Sequence, residues 1–102
     1  MQARDEYPHL YQFLGGYLNS DYVIWAPTLD GVVEVFLAEE GAAQAAAEVR
    51  ADIARFRAAH ADDLDAQLWH WFSDHAQEPD QSADEFLTWL DRAMSAGSTA
   101  RP

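Results

Sequence analysis

No cysteine and no lysine occur in this sequence of 102 residues. The first absence excludes disulfides and thiolate chemistry, so a zinc site would have to be built from histidine and carboxylate alone. The second leaves six arginines against eighteen aspartates and glutamates, a formal net charge of -12. That balance argues against binding a phosphate backbone, which needs a basic surface, and favours a basic partner. An acidic surface also keeps a small protein soluble and monomeric, and charge alone does not separate the two consequences. No apolar run approaches bilayer length. The opening, with Arg4, Asp5 and Glu6 ahead of an amphipathic segment, does not read as a signal peptide, so the expected address is the cytoplasm with no membrane contact.

Motifs of catalysis are missing too. There is no Gly-x-Ser-x-Gly elbow and no serine set beside a histidine, and Gly15-Gly16 lies within a helical stripe rather than between a strand and a helix. His70 and His75 are five apart, which does not place both on one helical face. His70 and Asp74 have the i, i+4 spacing, a frequent accident on an exposed face. No pair of carboxylates stands out from the acidic background as an acid and a base. The expectation is a non-enzyme without catalytic residues, metal or cofactor.

What is present is enough for one core. With 49% apolar residues, a chain of this length buries roughly 65% of its unfolded surface without staples. Residues 1–6 read as a frayed start, 7–96 as the domain and 97–102 as a flexible tail. Leu10, Phe13, Leu14, Tyr17 and Leu18 fall at i, i+3, i+4, i+7 and i+8, one stripe of a helix that opens at Pro8. That stripe runs through Gly15 and Gly16, each costing roughly 1 kcal/mol against alanine in a helix interior. Either the helix continues and close approach of a backbone or ring compensates, or it stops at Leu14 and the glycines turn the chain.

After Asn19-Ser20-Asp21, the run Tyr22-Val23-Ile24-Trp25 is expected to cross the core as an extended strap, with Trp25 filling a gap between helices. Thr28 can cap a second helix carrying Leu29, Val32, Val33, Phe36 and Leu37, since a strand would put Glu34 on the face of Val32 and Phe36. Gly41 stops it. An alanine-rich helix from Ala42 to about Ala59 follows, with Val49, Ile53 and Phe56 as its stripe and Arg50, Arg55 and Arg57 placed to pair with acidic neighbours. Asp62 or Asp63 caps a fourth helix, to about His75, burying Leu64, Leu68, Trp71 and Phe72. Ser82 and Glu85 form a capping box for a fifth, with Phe86, Leu87, Leu90, Ala93 and Met94 inward. The fold class is an all-α bundle of about five helices.

Tyr7-Pro8-x-Leu10, then Phe13-Leu14-Gly15-Gly16-Tyr17, then Asp21 followed by an aromatic, resembles the opening of a family of small bacterial immunity proteins from contact-dependent growth inhibition systems. Phe86-Leu87-x-Trp89-Leu90 is similar to the family's ending. This chain departs in Tyr22, where tryptophan is commoner, and in its alanine-rich middle. The resemblance implies an immunity protein that binds and occludes a cognate toxin domain, many such toxins being nucleases with a basic cleft. An acidic helical adaptor for another basic protein of the same cell is the alternative.

Candidate partner-binding residues come from helical phase. Asp62, Asp65 and Trp69 form a strip beside the buried stripe of the fourth helix, where a ring can anchor a contact that carboxylates steer. Asp30, Glu34 and Glu39 make a second acidic face, and Asp21 adjoins the family-like opening. Each has a plainer reading: Trp69 covers the end of the core, the acids are solvated, and Asp21 caps a turn.

Overall fold

The computed structural model describes residues 3–19, 22–72 and 81–98, with side chains from residue 5 to residue 95 within those spans. A single turn, α1 (Ala3–Glu6), leads into α2 (Pro8–Gly16); α3 is Leu29–Leu37, α4 Ala42–Ala59, α5 Leu64–Trp71 and α6 Ala83–Ser98. Short 3-10 turns at Tyr22–Ile24 and Ala61–Asp63 complete the regular structure, with no strand among the described residues. The all-α bundle expected from the periodicities is therefore what forms.

The central helix α4 packs against α6 on one side and α2 on the other, while α3 and α5 close on α6. Its alanines explain this position. Ala42 and Ala46 are buried with Val49, Ile53 and Phe56, and small side chains let two helices approach the same rod closely. Gly41 starts it in the left-handed region, at φ 80°, where a residue with a Cβ is strained. Phe13, Phe56 and Phe86 are the fully buried rings, and Phe36 and Trp71 pack half-buried at the margin of the same core.

Capping follows the sequence closely. The Thr28 hydroxyl accepts from the Gly31 N–H at 3.0 Å. The Ser82 N–H donates to Glu85 Oε1 at 2.8 Å and the Glu85 N–H to Ser82 Oγ at 3.1 Å, a complete capping box. Asp63 sits at the N-cap of α5 without a side-chain cap bond. That helix is described only as far as Trp71, so its expected extension to His75 lies outside the described residues, as do Asp74 and Asp21.

Helix α2 is capped differently. Tyr7 occupies its N-cap position and offers no side-chain bond. Instead Asp52, 2% exposed on α4, accepts from the His9 and Leu10 N–H groups at 2.8 and 3.0 Å. Arg55 completes the joint: it pairs with Asp52, donates to the Glu6 carbonyl at 2.9 Å, and lies 5.2 Å from the centre of the Tyr7 ring. The buried carboxylate is thus neutralised by two helix-terminal donors and a guanidinium. Beside it, burial pushes the Tyr7 hydroxyl above the ordinary 10.0; Arg55 opposes the shift, and Glu6 and Asp52 add to it.

The far end of α2 decides between the two readings of the glycines. Gly15 and Gly16 are its last helical residues, and the chain turns at Tyr17, with the Tyr17 and Leu18 N–H groups both donating to the Phe13 carbonyl at 2.9 and 3.2 Å. The turn returns Leu18 to the core, fully buried, which is why the apolar stripe outlasts the helix. Among the described residues the expected close approach is not found, since a Cβ built on either glycine meets none of their atoms within 4 Å.

The expected strap is likewise overturned. Tyr22–Ile24 coils as a 3-10 turn, and Val23, Ile24 and Trp25 are 63%, 75% and 41% exposed. With no strand to pair with, the segment satisfies its own backbone, the Trp25 and Ala26 N–H groups donating to the Tyr22 carbonyl.

Candidate functional site

Charge on the exterior is set by how the arginines are used. Arg50 bonds Asp91 at 2.9 Å, Arg55 pairs with Asp52, and Arg57 pairs with Asp84 while donating to Thr88 Oγ1 at 3.1 Å. The internal pairing expected from the sequence therefore occurs at all three positions of α4. The Arg50 and Arg57 bonds hold α4 to α6, the Arg55 pair lies within α4, and all three neutralise the cations locally. Carboxylates on the outer faces of α3 and α5 have no such partner cation among the described salt bridges.

Asp30, Glu34 and Glu39 are all exposed at α3 and the turn after it. One Asp30 oxygen accepts from the Trp89 indole at 2.6 Å, pinning α3 to α6, while Glu34 and Glu39 face solvent. On the other side, Asp62, Asp65 and Trp69 are exposed as the helical phase predicted, Trp69 at 50%. Asp65 has a structural task as well: its Oδ1 accepts from the Ala83 N–H at 2.7 Å and so caps α6. Helical phase could not reveal that bond, because it joins elements 18 residues apart.

A third surface was missed. The exposed knuckle of Val23, Ile24 and Trp25 abuts the end of α2, where the Trp25 indole donates to the Gly16 carbonyl at 3.0 Å and its ring lies 4.7 Å from that of Tyr17. On the neighbouring side of the same glycines, an open cleft of about 490 Å³ is lined by Tyr11, Gln12, Leu14, Gly15, Gly16, Trp71 and Phe72. Tyr11 on its wall is 42% exposed. The signal that could have found this surface was the unpaired Tyr-Val-Ile-Trp run beside two glycines, read instead as core.

Among the described residues no cluster of three His, Asp or Glu side chains is placed to hold a metal ion. His9 forms an ion-pair contact with Glu48 at 2.6 Å when protonated. The His60 ring packs at a tilt against Phe56 and Trp71, with ring centres 4.7 and 5.4 Å away. No helix among the described residues is long and apolar enough to cross a membrane. The geometry suits the capture of another macromolecule: acidic faces around a rigid helical frame, with exposed rings beside a cleft.

The model of one family, described as CdiI immunity protein, matches residues 6–95. Neither a curated protein nor a solved structure gives a match.

Proposed function

The chain belongs to the CdiI immunity protein family, and from that premise we propose that it binds the toxin domain of its own contact-dependent growth inhibition system in the cytoplasm and neutralises it by occlusion. The toxin domain in this reading is basic, and a nuclease. One observation carries the mechanism: the arginines of α4 are tied to the chain's own carboxylates, while Glu34, Glu39 and Asp62 stay exposed. A predominantly acidic exterior steers a basic cleft toward it and blocks phosphate from that cleft. The inhibitor would act by burying the toxin's site, with a few aromatic contacts supplying affinity and charge supplying association rate.

The test is co-expression with the product of the adjacent reading frame, followed by kinetics of the purified pair. A complex whose association rate falls at least tenfold between 50 and 500 mM salt, with its dissociation rate little changed, supports charge-steered occlusion. Absence of binding and protection would refute the reading. Charge reversal at Asp62 (Asp62→Arg) is the sharper probe of the acidic strip on α5, because reversing Asp65 would also uncap α6. An unchanged association rate in that variant removes the strip from the interface.

A further inference from the structure

Resting on the reading of the chain as a toxin-binding protein, we infer that the toxin domain docks on the apolar surface at the end of α2, inserting an arginine- or lysine-bearing segment into the cleft beside Gly15 and Gly16 and covering the Val23-Ile24-Trp25 knuckle. Three observations meet there. First, the exposed large apolar side chains Tyr11, Val23, Ile24 and Trp25 gather about one helix end, and contiguous exposed apolar surface on a small protein marks an interaction site. Second, the cleft is walled by Tyr11, Trp71 and Phe72, with no cationic side chain among the described residues that line it. It runs beside the last turn of α2, whose Gly15 and Gly16 carbonyls accept from the Asn19 side-chain amide at 2.7 Å and the Trp25 indole at 3.0 Å. The Tyr11 and Trp71 rings are complementary to a guanidinium or ammonium whose aliphatic stem lies along the apolar wall of the cleft. Third, the glycines have no role in the fold that explains them. Neither has a positive φ, and a Cβ on either meets nothing among the described residues, yet glycine weakens a helix relative to alanine. A partner's backbone lying on that bare stretch supplies the missing close approach. The chain's net charge of -12 fits the basic character of the segment.

The experiment separates folding from binding at a single position. Gly15→Ala and Gly15→Leu add side chains in open space, so both fold, and Gly15→Ala melts about 2 °C or more higher. Their affinity for the toxin domain encoded by the adjacent reading frame, measured by calorimetry, falls at least tenfold for alanine and further for leucine; Tyr11→Ala and Ile24→Asp fall similarly with their helical spectra intact. Affinities within twofold of the parent's in all four variants would overturn the docking site while leaving toxin binding intact. A parent protein that binds no toxin domain would overturn the functional reading, and this site with it. Loss of affinity in Asp62→Arg and Glu34→Arg alone would assign the interface to the acidic faces instead.

Discussion

Replacing Asp52 tests the joint that holds the first helix to the middle one. Its carboxylate is 2% exposed and accepts two backbone donors at the start of α2, at 2.8 and 3.0 Å, besides its pairing with Arg55. Removing an N-cap acceptor costs about 1 to 2 kcal/mol, and here the buried Leu10 N–H, worth about 1 to 3 kcal/mol when left unsatisfied, loses its partner together with the part-buried His9 N–H. Arg55, 55% exposed at its side chain, recovers water, so its release adds little. Asp52→Ala should therefore lose about 3 kcal/mol, a drop in Tm of about 12 to 24 °C for a domain of this size. Asp52→Asn keeps one acceptor oxygen in place but no charge, and should lose about half as much. Arg55→Gln should lose least. Urea titrations followed by circular dichroism, with the denaturant slope unchanged, give the three values. A loss under 0.5 kcal/mol in Asp52→Ala would refute the argument that a carboxylate on α4 caps α2.

Other expectations follow from the same geometry. Because burial raises the folded-state value of the Tyr7 hydroxyl above 10.0, the unfolded chain gives up that proton first, so stability is full below pH 10 and falls as pH rises beyond it. Urea midpoints at pH 9 and 11 should show a smaller decline in Tyr7→Phe than in the parent, and equal declines would discount the shift. Ser82→Ala breaks the reciprocal pair with Glu85 and should lower stability by about 1 kcal/mol, read as an earlier urea midpoint with the helical spectrum of the folded state preserved.

Much of this bundle is legible because its signals are local. The unbroken alanines and the capping residues Thr28, Ser82 and Glu85 act within four positions of themselves, and the structure places each where the pattern puts it. Gly41, expected to stop the second helix after Glu40, instead starts α4, because α3 already ends at Leu37. The arginines of α4 were legible as pairing groups because α4 itself and α6 carry acids in reach of them. What escaped is long-range. The bond from Asp52 to Leu10 spans 42 residues and that from Trp89 to Asp30 spans 59, and no periodicity encodes such a partner. Large apolar residues were assumed to be inside, a rule that fails at Val23, Ile24 and Trp25. Of the two readings open for the glycines the helical one holds, as far as Gly16, but the approach sought for them is not made by the described residues. As for the surface strips, spacing located their exposure and could not tell that Asp65 also serves α6.

The borrowed cap on α2 also sets an order of events. A nine-residue helix is too short to persist alone in water, and the carboxylate that completes this one belongs to a segment translated later. During synthesis the opening of the chain must therefore wait, unwound, until the alanine-rich rod has emerged to receive it. Truncations that end before that rod should leave the nascent chain open to protease, and extending them through Arg55 should close it.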